Sequence, residues 1–260
     1  MNFEKCYMCN SEATTKEHVP PLSLFPEKKD TYGIDFRKNL ITVPSCEIHN
    51  SKKSDDDEFL MLSLSGLIKN NPVGTFHQLT KADRALRRKN KSFIQKEVLR
   101  NYKIGRIKSP DGNYRYIAFG NPNVKRLLKC LHHIAFGLYY EEFNMRFEGK
   151  INSLLSFIEY KDENFKTLIK LVKKRFELER ELNREIKGDN PEVFYYQFHN
   201  PDENGIIGLR TVFYGTAEVY FSFATSNSTI PFNFGMKFIN NGFHTTIELG
   251  DEKFEFKRLK

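Results

Sequence analysis

Apolar positions change period twice along this chain, and each change predicts a different kind of element. From Pro122 onward they recur at helical spacing. Val124, Leu127, Leu128, Leu131, Ile134, Ala135, Leu138 and Tyr139 form one stripe wide enough to bury. Phe165, Leu168, Ile169, Val172 and Phe176 form a second, in a helix that begins near Asn164 and is ended by Gly188 and Pro191. Over about the last 70 residues the period falls to two. Val219, Phe221 and Phe223 alternate with Glu218, Tyr220 and Ser222. Phe243, Thr245, Ile247 and Leu249 alternate with His244, Thr246 and Glu248, and Phe254 and Phe256 with Lys253, Glu255 and Lys257. With Asn241-Gly242 and Gly250-Asp251 as tight turns, this predicts an antiparallel meander whose Phe-rich face packs on the two helices.

The first half has less periodicity. Residues 1–54 are broken by Pro20, Pro21, Pro26, Gly33 and Pro44 and read as loop-rich. Asp55-Asp56-Asp57-Glu58 then opens a helix from Phe59 to Ile68, its carboxylates solvated in the first turn, where the helix dipole favours them. Residues 79–101 read as a basic helix carrying Arg84, Arg87, Arg88, Lys89, Lys91, Lys96 and Arg100. A hairpin follows, Ile104 to Lys108 and Tyr114 to Phe119, turning at Asp111-Gly112. No internal repeat is present. The fold class expected is α+β, with an N-terminal domain over residues 1–75 and an accessory domain over 76–260.

Charge narrows the partners. The chain has 41 basic and 33 acidic residues, a formal +8, which favours contact with a polyanion without requiring one. No apolar run reaches the 18 or so residues of a membrane span, and the first residues lack the pattern of a secretory signal, so the expectation is a cytoplasmic protein with no membrane partner. The basic residues from Lys81 to Lys108 are the candidate nucleic-acid footprint; a merely solvated basic helix is the alternative. The aromatic strands of the last third could stack unpaired bases, but their strict alternation assigns them to a core first.

Four cysteines do not make a disulfide scaffold. Three of them fall in the first 50 residues, as Cys6-x-x-Cys9 and, 36 positions on, Cys46-x-x-His49. Two such pairs bring three thiolates and an imidazole to one ion. That set closes a tetrahedral site, leaves no place for water and makes the zinc structural. Cys130 alone reads as a small buried hydrophobe, and with His132 and His133 it has no second pair of ligands in sight to make a metal site.

Between the two pairs lie Glu17-His18-Val19-Pro20 and Asn39-Leu40, and after the second come Asn50 and Lys53. In this order the segment from about residue 6 to 58 resembles the His-Me finger, or HNH, endonuclease family. The resemblance implies a zinc-stabilised ββα-metal core followed by helices and a C-terminal antiparallel sheet. It implies His18 as general base at the end of the first strand, Asn39 as the group that orients it, and Asn50 opening the helix. Glu17 and Asn50 then become oxygen ligands for a catalytic Mg²⁺ or Mn²⁺ that keeps several waters. Three positions depart from the commoner pattern: His49 for a fourth cysteine, Glu17 for aspartate, and Asn50 for the last histidine. Singly, each residue has a plainer explanation: a surface Glu-His dipeptide, a turn at Asn39, a helix cap at Asn50. The expected activity is metal-assisted hydrolysis of DNA, by analogy in restriction or phage defence. An activating protein partner or self-association is compatible with it. A zinc-stapled DNA-binding or partner-binding module without cleavage, and an RNase with the same site, are the alternatives.

Overall fold

The computed structural model describes residues 4–50, 53–89, 91–108, 112–181, 185–225 and 244–257. The chain is a mixture of helices and strands that divides into two compact units, residues 1–146 and 147–260. The break falls well beyond the boundary at residue 75 expected from the sequence. Residues 76–146 join the first unit because their cations pair with its carboxylates and because Val124–Phe143 packs on its strands and first helix.

In the first unit, strands β1 (Thr15–His18) and β2 (Thr42–Ser45) pair antiparallel, with Glu17 opposite Val43 and His18 opposite Thr42. Helix α1 (Ser54–Ser65) follows, with Asp55, Asp56 and Asp57 in its first turn. It is buried on nearly all sides from Phe59 to Ser65, as a helix at the centre of a small unit must be. The basic segment is broken where one helix was expected. Helix α2 (Pro72–His77), a π-helical turn (Gln78–Ala82), helix α3 (Asp83–Arg88), the short α4 (Lys91–Phe93) and a second π turn (Ile94–Val98) succeed one another. Lys89 takes an extended conformation, ψ 148°, which ends α3, and its ammonium reaches Asp55 and Glu58 at 3.1 and 2.8 Å. Strands β3 (Arg100–Lys108) and β4 (Tyr114–Asn121) form the expected hairpin as an isolated two-stranded ribbon; Asp111 of its expected turn lies outside the described residues. Helix α5 (Val124–Phe143) starts at Asn123, whose side chain accepts from the Arg126 N–H, and ends at a left-handed Asn144.

The second unit holds a five-stranded antiparallel sheet in the order β5-β9-β8-β7-β6: β5 (Gly149–Leu155), β6 (Lys187–Asn190), β7 (Phe194–Phe198), β8 (Ile206–Phe213) and β9 (Ala217–Thr225). Helix α6 (Glu163–Glu181) lies against it, but not on the face expected. Phe176 stacks its ring on Tyr220 and His199, and Lys173 approaches Glu218. These strand residues alternate with the Phe set, whose Phe223 packs on Phe147 and Phe198 instead. On that more polar face Arg210 donates to Glu218, which also accepts from the Tyr220 hydroxyl. Between α6 and that face is a cavity of about 510 Å³, walled by Phe165, Leu168 and Val172 and by Gly208 and Ser222. Strands β10 (Thr245–Leu249) and β11 (Glu252–Phe256) make a separate hairpin rather than continuing the meander. Phe254 and Phe256 seal it onto Leu168 and Leu171 of α6. The Asn241-Gly242 turn and Phe243 lie outside the described residues.

Candidate metal centre and the residues around it

The two ligand pairs are brought together by backbone hydrogen bonds. The Cys6 N–H donates to the Ser11 carbonyl and the Tyr7 N–H to the Pro44 carbonyl, both at 2.9 Å, which lays the first turn along β2. The second turn closes on itself, the His49 and Asn50 N–H groups both donating to the Cys46 carbonyl at 3.1 Å. The Met8 N–H points at the Cys6 sulfur, 3.5 Å away. One potential ligand atom from each of Cys6, Cys9, Cys46 and His49 then lies within 4.8 Å of every other. Sulfur and ring nitrogen are 3.5 Å apart between Cys6 and His49 Nδ1 and 3.3 Å between Cys46 and His49 Nδ1; the Cys9 and Cys46 sulfurs are 3.8 Å apart. A tetrahedral zinc with bonds of ~2.3 Å to sulfur and ~2.0 Å to nitrogen needs ligand separations of roughly 3.5–3.8 Å. The Cys3His set fits that ion.

The centre is sheltered but not sealed: Cys6 and Cys46 are buried, Cys9 and His49 half-buried. Burial pushes the Cys6 thiol up, whereas the hydrogen bond from Ser11 draws the Cys9 thiol down. Behind the centre the ring of His133 on α5 stands 6.0 Å from that of His49. Burial lowers His133 to about 4, so it packs as a neutral imidazole. Cys130, one turn earlier, is a buried thiol raised to about 12. The buried Cys130 fits its reading as a small interior residue.

Asn50 follows the second turn and reaches back to β1. Its amide nitrogen donates to Thr15 Oγ1 at 2.9 Å and to the Lys16 carbonyl at 3.1 Å. The end of the metal turn is thereby tied to the strand that carries His18. His18 is half-buried at the end of β1, and its pKa is lowered by burial and then by the charge of Arg37. Such a histidine is neutral near pH 7 and able to accept a proton. Asn39 is exposed, with φ +50°, in the turn before β2.

Glu17 has a different environment from the one expected of a metal ligand. Neighbouring residues of a strand face opposite sides, and Glu17 is turned inward, 4 % exposed, with the Lys53 ammonium 2.6 Å from its carboxylate. Lys53 is itself buried and also reaches Asp57 of α1 at 3.4 Å. Burial raises the Glu17 carboxyl and lifts Asp57 to about 6, each pulled back in part by Lys53. Glu17 is thus engaged by Lys53, whereas the two bonds of Asn50 use its amide nitrogen and not the oxygen that would face a cation. The acidic start of α1 is solvated only in part: Asp55 is exposed, while the carboxylates after it are half-buried. Asp56 pairs with Arg126 at 2.7 Å and with Lys129 at 3.0 Å.

Three residues of this neighbourhood were missed by sequence reasoning. Asp57 carried a readable signal, standing four residues after Lys53 on what becomes one helical surface. Arg37 and His133 carried none, since their contacts cross 19 and 84 positions of chain. Compared with protein-family models, with curated proteins and with solved structures, the chain matches none.

Proposed function

We propose that the first unit is an endonuclease core of the HNH kind that hydrolyses DNA phosphodiester bonds, built around a structural zinc. The observation that supports it is one arrangement. A Cys3His set at zinc spacing binds the turn after β2 to the turn before β1, with neutral His18 ending β1 and Asn50 latched to that strand ahead of α1. Phosphodiester hydrolysis needs a water deprotonated as it attacks, and His18 is the group with the state and position to take that proton. Because Glu17 is held by Lys53, no step is assigned to a catalytic divalent ion. The same ion pair favours a second reading, a zinc-stapled DNA-binding module that does not cleave.

The test is cleavage of plasmid DNA, single-stranded DNA and a matched RNA by wild type and His18→Ala, each with Mg²⁺ or Mn²⁺ supplied and zinc content measured. The wild type is expected to cut DNA, and the zinc-loaded variant to be slower by about 10²-fold or more. Equal cutting by both removes His18 from the chemistry. No cutting by either leaves the binding module, and a preference for the RNA makes the enzyme an RNase.

A further inference from the structure

The basic excess of this protein is confined to one unit. Residues 1–146 hold 25 basic against 16 acidic residues, and residues 147–260 hold 16 against 17. Within the first unit, moreover, the cations of α3 and its surroundings are already paired. Arg84 makes two bonds to Asp30 at 2.9 and 2.6 Å, Arg87 pairs with Asp83, Lys89 with Asp55 and Glu58, and Lys81 with Glu27. The footprint suggested by the sequence is therefore largely neutralised along its helical part.

The β3–β4 ribbon is not. Residues 100–121 include five basic residues and one acidic. Among the described residues no carboxylate pairs with Arg100, Lys103, Arg106 or Lys108, and all four are exposed. Among the described residues the ribbon has no third strand, and Tyr102, Ile104, Tyr114 and Phe119 are exposed. Ile104 is 69 % exposed and Tyr114 56 % on one face; Phe119, 39 % exposed, lies on the other, its ring crossing over Gly105. A two-stranded ribbon in water with bare apolar groups on both faces is a poor stability element and a good insertion element. Arg106 lies 4.0 Å over the Tyr114 ring, so cation and aromatic project together at the same end.

Its root is rigid. The Asn123 N–H donates to the Glu97 carbonyl at 2.7 Å, joining the two ends of the ribbon segment. Arg126 then bonds Asp56 of α1 at 2.7 Å and Glu97 at 3.4 Å, with its guanidinium against the rings of Phe59 and Phe93. A load on the ribbon is thus carried to the helix that follows the metal centre.

We propose that the β3–β4 ribbon is the element by which this protein grips double-stranded DNA, entering the major groove. The B-form groove is about 12 Å wide and admits a two-stranded ribbon. The A-form RNA groove is too narrow for one. Lys103, Arg106 and Lys108 contact phosphates along the groove walls, and Tyr114 and Ile104 meet base edges. This rests on the proposed nuclease reading for its choice of DNA, but binding and cutting are measured separately.

The experiment is fluorescence anisotropy of the full chain, zinc-loaded and without added Mg²⁺ or Mn²⁺, on a short DNA duplex, the matched RNA duplex and single-stranded DNA at several salt concentrations. The proteins are wild type, the triple variant K103A/R106A/K108A, and Arg87→Ala as a control. Wild type is expected to favour the DNA duplex. Losing three phosphate contacts lowers the slope of log affinity against log salt by about 2.7 and weakens duplex binding at least tenfold, with zinc content and thermal unfolding unchanged because the side chains are exposed. Arg87→Ala, whose cation is spent on Asp83, binds as wild type does. Unchanged duplex affinity in the triple variant, or a wild-type preference for duplex RNA or single strands, overturns the proposal. Impaired binding with no cleavage in any protein would sink the nuclease reading and leave the ribbon standing; normal binding by the triple variant with cleavage intact would do the reverse.

Discussion

Lys53 is the residue on which the interior of the first unit turns, because it is the buried cation between the buried Glu17 and the half-buried Asp57. At 8 % exposure it holds Glu17 at 2.6 Å and Asp57 at 3.4 Å, and one positive charge cannot fully compensate two negative ones. Asp57 carries the residual cost. Its carboxyl is raised to about 6, first by burial and further by Glu17, against an opposing pull from Lys53. In the unfolded chain an aspartate titrates near ~3.9. Between the two values the folded state holds the proton more firmly than the unfolded state does, so stability falls as pH rises and the cost is complete above about 6. The Asp57→Asn variant lacks this cost. Urea unfolding of both proteins between pH 5 and 7.5, with zinc content checked at each point, should show wild type losing ground steadily to the variant up to about pH 6.5 and then running parallel. Taking the difference cancels the effect of acid on the zinc thiolates, which both proteins share. A difference independent of pH would mean that Asp57 is ionised throughout.

At the scale of elements, α5 closely approaches the residue that follows β1 and His18. Gly137 faces Val19, the residue after His18, so closely that a Cβ there would come within 2.6 Å of Val19 Cγ2 and 2.9 Å of Cγ1. Helix interiors ordinarily disfavour glycine by about 1 kcal/mol relative to alanine, yet here overpacking reverses the sign. Gly137→Ala should destabilise by roughly 1–3 kcal/mol, and adding Val19→Ala, which clears the space, should recover part of the loss. A Gly137→Ala protein as stable as wild type would show that α5 can move away from β1 at no cost. The glycine lies in a stripe whose helical period was plain in the sequence, but the contact it permits was not, since Val19 is 118 positions away. The same distinction runs through the chain. The Cys-x-x-Cys and Cys-x-x-His pairs were legible because each is a local turn, and α1, α5 and α6 because their period or first-turn carboxylates are local too. Strand β8 was missed because it is buried on both faces from Leu209 to Phe213, which erases the alternation that marks a strand. The basic helix was drawn too long because its cations have partners at Asp30 and Glu58 that no spacing rule points to. The resemblance fixes the position of Glu17 in a motif, but its ion pair with the buried Lys53 joins residues 36 positions apart and could not be read from it.

For the whole molecule, the division into two units separates what depends on metal from what does not. All four cysteines and the ligand His49 lie in residues 1–146. The β1–β2 pair is only four residues long on each side, and the segment before it is held mainly by turns around Cys6 and Cys9. Such a segment buries too little apolar surface to offset the entropy of ordering it, so the ion's binding energy is in large part its folding energy. The second unit has its own means: five paired strands, a Phe-rich face, and α6 sealed by Phe254 and Phe256. Removing zinc from the full chain with a strong chelator should therefore act unevenly. In hydrogen exchange, the amides of β1, β2 and the Cys46 turn should lose protection, and Cys6, Cys9 and Cys46 should become reactive to a thiol reagent. The amides of β7, β8 and β9 should exchange as slowly as before. Zinc restored in excess should return the protection of the first set, provided the thiols have been kept reduced. If β7 to β9 open together with β1 and β2, the chain is one cooperative body and the metal supports all of it. If β1 and β2 stay protected without the ion, the Cys3His set is a bound site rather than a staple. Reconstitution also bears on function, because a nuclease core that refolds around zinc must regain any His18-dependent cleavage in step with the protection of β1, the strand that holds His18 in place.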